Sequence, residues 1–137
     1  MSARYLVDKS ALARMPDASV RARLGQLIEA GQAATCAIIE LEVLYSARNA
    51  KDHRMIRSRR DLAYERVAVD DGVLNRAMDI QGELARKGQH RLPIPDLIVA
   101  AAAEAAGLIV LHYDAHFDQI AKATGQPVEW VVPRGSV

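Results

Sequence analysis

Three aspartates of the 137-residue chain stand where an apolar or loop segment gives way to a new element. Asp8 follows the apolar run RYLV (4–7), Asp114 follows LIVLHY (108–113), and Asp96 follows the loop QHRLPIP and opens DLIVAAAAEAAG (96–107). Each has an ordinary reading on its own. Aspartate is a favoured helix N-cap, which suits Asp8 and Asp96, and Asp114 suits a turn. Together they predict something further, because active sites of open α/β sheets gather at the carboxyl ends of the strands. Carboxylates converging there repel one another and raise each other's pKa. A hard divalent ion such as Mg²⁺ or Mn²⁺ removes that repulsion, activates water and steadies the charge of a phosphoryl group.

A second acidic pair lies in ATCAIIELEVLYSAR (33–47), among Ile38, Ile39, Leu41, Val43 and Leu44. At about 100° per residue, Glu42 shares a helical face with Ile38, Leu41, Tyr45 and Ser46, while Glu40 falls roughly 160° away beside Val43, Leu44 and Ala47. Both faces are apolar, so periodicity leaves open which glutamate points inward.

The elements that must position these groups alternate as strands and helices, which predicts an α/β domain. Strands are expected at 4–7, 33–36, 65–69, 108–113 and over PVEWVV (127–132). Helices are expected after Asp8 as far as Pro16, over 18–30, 38–49 and 52–63, from Asp70 to about Lys87, over 96–107, and from the fourth strand to about Thr124. The fold class expected is α/β, with a central, largely parallel sheet of about four to five strands flanked by helices. Residues 1–137 read as a single domain with no repeat or linker.

Composition narrows the function. Hydrophobic residues make up 50% and charged ones 26%, as in an ordinary soluble domain. Eighteen basic and 17 acidic residues leave a net charge of +1, so bulk attraction to nucleic acid is not signalled and contact must rest on local patches. Aromatic content of 4% leaves few stacking platforms for single strands. The single cysteine, Cys36, rules out a disulfide framework and a cysteine-rich zinc site. No apolar run has transmembrane length and the N-terminus lacks a signal-peptide core, so no membrane role and a cytoplasmic location are expected.

Four ordered motifs, YLVDKSAL, AIIELEVLYSA, IPDLIVAAAA and VLHYDAHFDQIA, resemble those of PIN-domain ribonucleases, and more narrowly those of the VapC toxins of bacterial toxin–antitoxin pairs. The resemblance implies a PIN-like fold and a metal-dependent RNA endonuclease using Mg²⁺ or Mn²⁺. Asp8, Glu42, Asp96 and Asp114 match the family's catalytic acids, with Asp8, Asp96 and Asp114 as metal ligands and Glu42 ligating or orienting the attacking water. Glu42 then faces the cleft under Asp8, and Glu40 takes a structural place at the helix start or at a subunit interface. The resemblance also implies a VapB-type antitoxin that fills the site, a homodimer, and an RNA substrate. Transfer, ribosomal and messenger RNA all remain open. A non-catalytic PIN-like module that binds RNA or a partner is the alternative, although degenerate modules tend to lose these acids. A nuclease acting on DNA is a second rival.

Two positions depart from the family pattern: His112 stands where Thr or Ser is common, and Ser46 where Gly is common. His112 is an accessory candidate at the rim of the metal site, binding water or phosphate. His112 and His116 flank Asp114, but His112 ends a strand, so the two rings need not converge on one ion. His116 is expected to pack or cap. Asp118, Ser10 and Arg48 are further accessory candidates. The basic run KDHRMIRSRR (51–60) offers Arg54, Arg57, Arg59 and Arg60 for RNA phosphates or the antitoxin. RKGQHR (86–91) is a second basic loop.

Overall fold

The computed structural model describes residues 3–137. Its strands are β1 (Tyr5–Val7), β2 (Ala33–Cys36), β3 (Glu65–Val67), β4 (Ile109–His112) and β5 (Val128–Trp130). Its helices are α1 (Lys9–Leu12), α2 (Ala18–Glu29), α3 (Ala37–Leu44), α4 (Ala50–Ala63), α5 (Asp71–Ala85), α6 (Ile94–Ala106) and α7 (His116–Thr124). The five strands form one sheet in the order β3-β2-β1-β4-β5, every neighbouring pair parallel. The expected α/β class and parallel sheet are thus what the chain adopts.

Parallel neighbours require crossovers, and helices supply them, so the sheet is buried on both faces. Alternation along each strand sorts the side chains. Leu6, Ala34, Cys36 and Val110 meet α3, α5, α6 and α7 in one core, which includes Val99 to Ala103, Phe117 and Ile120. Tyr5, Val7, Ala33 and Leu111 meet Val20 and Leu24 of α2, with Val131 and Val132, in the other. The run of alanines in α6 lets that helix lie close against the sheet. Gly107, at φ 69° in the left-handed region, ends it and turns the chain into β4.

Strand order reverses at β1: β2 and β3 lie to one side, β4 and β5 to the other. Chain connections on either side of such a switch point lead in opposite directions and leave a crevice at the carboxyl ends of the two central strands. Here those strands are β1 and β4, joined by the pairs Tyr5–Ile109, Leu6–Val110 and Val7–Leu111.

Element boundaries differ from expectation in three informative places. The helix expected over 38–49 stops at Leu44, where the Ser46 hydroxyl back-bonds to the Val43 carbonyl at 2.9 Å. Asn49, fully extended, then starts a new helix by accepting from Asp52 N at 2.9 Å, so α4 opens at Ala50 instead of residue 52. And α6 opens at Ile94 behind Pro93, which moves Asp96 from a cap into the first helical turn.

Candidate active site

Asp8 leaves β1 at the switch point. Its backbone N–H continues the β1–β4 ladder by donating to Leu111 O at 2.9 Å, and its carboxylate caps α1 by accepting from Ser10 N at 2.9 Å. The cap reading and the cleft reading of Asp8 therefore hold at once. The residue is only 4% exposed. Burial raises its pKa, as does the nearby Asp114, against the lowering effect of its bonds from Ser10 and Lys9.

Asp114 comes off β4 beside it. Its Oδ1 accepts from His116 N at 2.9 Å, and its own N–H donates to His112 Nδ1 at 3.1 Å. Asp96 arrives from the first turn of α6, with a side chain 13% exposed. Burial, then the charges of Asp8 and Asp114, push its pKa up to about 7, against the lowering effect of His116. Glu42, half-buried on α3, has its pKa raised by burial and by Asp8, with Lys9 opposing. Acids from β1, α3, α6 and β4 thus meet at one edge of the sheet.

The two glutamates separate. Glu42 turns to the electrostatic field of Asp8, as expected. Glu40 is buried on the far side of α3, where Arg60 Nη2 donates to it at 2.7 Å and Arg60 Nε at 2.8 Å, with the Thr35 hydroxyl as a further donor. Burial alone would raise the Glu40 pKa, but Arg60 and Thr35 win and hold it below the usual carboxylate range. Glu40 does lie in the first turn of its helix, but what holds it there is the buried partner.

Several accessory assignments change. Arg60, grouped in sequence with the phosphate-binding arginines, is buried in that ion pair with its guanidinium 4.5 Å from the Tyr64 ring centroid, so it is not available to RNA or antitoxin. Arg54, Arg57 and Arg59 on the same helix are exposed. Arg48 is exposed and paired with Asp52 at 3.4 Å. His112 is not at the rim: it is fully buried between Phe117 and Trp130, with ring centroids 5.1 and 4.9 Å away. Burial pushes its pKa down to about 4, against the raising effect of Asp118 and Asp114. Its Nδ1 serves as acceptor for the Asp114 amide, the task a Thr or Ser hydroxyl can perform at this position.

Asp118 accepts from Trp130 Nε1 at 3.3 Å, which ties α7 to β5. Ser10 acts through its backbone on Asp8, and its hydroxyl accepts from Tyr113 N at 2.9 Å, clamping α1 to the end of β4.

Sequence reasoning missed His116. Instead of packing or capping, its imidazole enters the acid cluster, with Nδ1 3.1 Å from Asp96 Oδ2 and 3.2 Å from Asp114 Oδ1. The signal was present: two residues after Asp114 and directly before the buried Phe117, His116 is the first residue of α7, where it must lie at the mouth of the crevice.

The donors assembled are oxygen-rich, as a hard divalent ion prefers. Asp96, Asp114 and His116 each offer a ligand atom, all within 4.8 Å of one another. A soft thiolate-bound ion is not served, because Cys36 is buried in the core. Asp8, Glu42 and Asp96, held toward protonation by burial and by neighbouring negative charge, are a fit for a cation that would relieve both.

Comparison with known proteins agrees with this arrangement. The family model for the PIN domain matches residues 5–123. Ribonuclease VapC21 of Mycobacterium tuberculosis is 50% identical over 137 residues, 99% of each chain. Ribonuclease VapC51 of the same species is 42% identical, across 100% of this chain and 99% of that one. Among solved structures, the fold is shared with DNA-bound VapBC from Salmonella typhimurium (TM-score 0.74, 18% identity, 95% and 99% of the two chains). It is shared too with VapBC-1 from nontypeable Haemophilus influenzae (TM-score 0.75, 15% identity, 93% and 97%).

Proposed function

This chain belongs to the PIN-domain family, among the VapC ribonucleases, and from that premise we propose that it is a Mg²⁺- or Mn²⁺-dependent endoribonuclease, the toxin of a toxin–antitoxin pair. The observation that carries the reading is the meeting of Asp8, Asp96 and Asp114 at the β1–β4 switch point, where burial and neighbouring charge press on Asp8 and Asp96. RNA as the substrate follows from the ribonuclease names of relatives that match along nearly the whole chain.

Asp8, Asp96 and Asp114 would hold the ion. A divalent ion bound there supplies Lewis-acid stabilisation of the phosphoryl charge and lowers the pKa of a water. The chain does the rest. Ser10 N–H keeps the Asp8 carboxylate in one orientation, and His112 Nδ1 and the His116 N–H together fix Asp114. Glu42, whose pKa is raised by burial, is suited to orient the attacking water and take its proton. Asp96, near 7, holds a proton at neutral pH when no ion is bound and gives it up when one enters. Arg54, Arg57 and Arg59 would retain flanking phosphates.

A VapB-type antitoxin is the partner we infer, supported by the VapBC complexes that share the fold. Leu41, Tyr45 and Leu62 are largely or almost fully exposed on α3, its C-cap and α4, beside the free arginines, and this apolar, basic surface suits such a partner or a second copy of the chain. No helix among the described residues is long and apolar enough to cross a membrane. We take residues 1–137 as one PIN domain acting on RNA in the cytoplasm.

Incubating the protein with labelled RNA and DNA in Mg²⁺, Mn²⁺ or EDTA tests the reading. Internal cleavage of RNA that EDTA abolishes and Asp96→Asn removes is expected. Cleavage of DNA alone, cleavage that survives EDTA, or full activity in a folded Asp96→Asn protein overturns it.

A further inference from the structure

Carboxylates are not the only donors at the mouth of the crevice. His116 Nδ1 lies 3.1 Å from Asp96 Oδ2 and 3.2 Å from Asp114 Oδ1, and the ligand atoms of the three residues fall within 4.8 Å of one another. Adjacent ligands of an octahedral ion with bonds of about 2.1 Å are about 3 Å apart, and opposite ligands about 4.2 Å apart. The observed separations match those of three ligands around one small ion.

The imidazole is held in that position by its surroundings. His116 opens α7, its amide is bonded to Asp114 Oδ1 at 2.9 Å, and the next residue, Phe117, is fully buried and anchors the helix. The His116 side chain keeps 38% exposure, which leaves the outer side open to water or a phosphate oxygen. His112, the other histidine of the motif, is turned away and already accepts the Asp114 amide.

We propose that His116 ligates the divalent ion of this site through Nδ1 and makes the site prefer Mn²⁺ to Mg²⁺. The inference rests on the reading that the acids hold a divalent ion. Its chemistry is that of the donor. Mg²⁺ dehydrates reluctantly and demands a near-ideal set of oxygen ligands, whereas imidazole is a borderline donor that first-row transition ions accept more readily.

The test is ion binding, read without catalysis. Metal-free protein is titrated with Mn²⁺, the free ion being followed by electron paramagnetic resonance, and Mg²⁺ is measured by competition against bound Mn²⁺. Wild-type protein is expected to hold Mn²⁺ at least about tenfold tighter than Mg²⁺. His116→Ala should lose about tenfold or more in Mn²⁺ affinity, on the scale of other ligand-sphere changes, and about threefold at most for Mg²⁺. His116→Asn, which returns an oxygen donor to nearly the same place, should restore ion binding without the Mn²⁺ preference. Mn²⁺ affinity unchanged in a folded His116→Ala protein overturns the ligation. Should the variants fail to fold, wild-type protein loaded with Co²⁺ decides: the His116 ring protons must shift and broaden as those of a direct ligand, and ring signals like the metal-free ones overturn the proposal. If wild-type protein binds neither ion, the metal-dependent reading of the function falls with it.

Discussion

Arg60 on α4 grips Glu40 on α3 through Nη2 at 2.7 Å and Nε at 2.8 Å, with both side chains nearly closed off from solvent. The pair lies two residues from Glu42 in sequence yet belongs to a different part of the molecule: it fastens one helix to the next while Glu42 faces the cleft. A buried charge with its partner removed is far costlier than the intact pair is stabilising.

Stability should therefore separate the two glutamates. Glu40→Ala is expected to destabilise the protein by about 3–5 kcal/mol, because it strands the Arg60 guanidinium. Glu42→Gln should melt close to wild type and lose RNA cleavage. Replacing Glu40 and Arg60 together with apolar residues of similar volume should recover most of the loss. Denaturant unfolding of the four proteins checks this, and loss of cleavage confined to Glu40→Ala would reverse the assignment.

Asp96 and Asp114 should prove dispensable to the fold and indispensable to the reaction. Asp96→Asn and Asp114→Asn remove a charge from a self-repelling cluster. Each ion-free variant should thus melt at or above the wild-type temperature while cleavage falls by at least about 100-fold. Thermal melts beside RNA cleavage rates make the comparison.

Ion binding should be linked to pH through Asp96. With its pKa at about 7, the group is protonated in the ion-free protein below neutrality, so binding must displace a proton. Apparent affinity should weaken up to about tenfold per pH unit below 7. Calorimetry in buffers of differing ionisation enthalpy counts the released proton, which Asp96→Asn should abolish.

Asp96 and His112 should give opposing stability profiles. Asp96 has a folded pKa raised from 3.8 to about 7, so its contribution is fully present below pH 3.8 and is lost as pH rises towards 7. His112 is depressed from 6.5 to about 4, so its contribution is present above pH 6.5 and is lost as pH falls towards 4. In metal-free wild-type protein the two partly cancel across that window. In Asp96→Asn the His112 slope should emerge alone, with stability falling as pH drops from 6.5 to 4. Chemical unfolding at several pH values measures it.

RNA affinity should follow the exposed arginines of α4. Glutamine at Arg54, Arg57 and Arg59 is expected to weaken binding to an inactive Asp96→Asn protein and to flatten the salt dependence by roughly one unit for each phosphate no longer held. Binding isotherms at several salt concentrations provide the slope. Arg60→Gln belongs to the stability series above, since its side chain faces Glu40.

Local order in the chain already determined much of this protein. A strand followed at once by an aspartate puts Asp8 and Asp114 at strand carboxyl ends whatever the sheet order, because the side chain's place is set by its neighbours. The apolar runs and helical periods fixed an α/β class in the same way. What lay across space was decided only by the tertiary structure. Glu40 and Glu42 sit on faces of equal hydrophobicity, and only the arrival of Arg60, 20 residues on, separates them. His112 and His116 read alike until strand order brings β4 beside β1 and turns one ring into the core and the other onto Asp96. Periodicity reports which residues share a face. What that face meets depends on contacts between segments far apart in the chain, and those form only when the whole sheet has assembled.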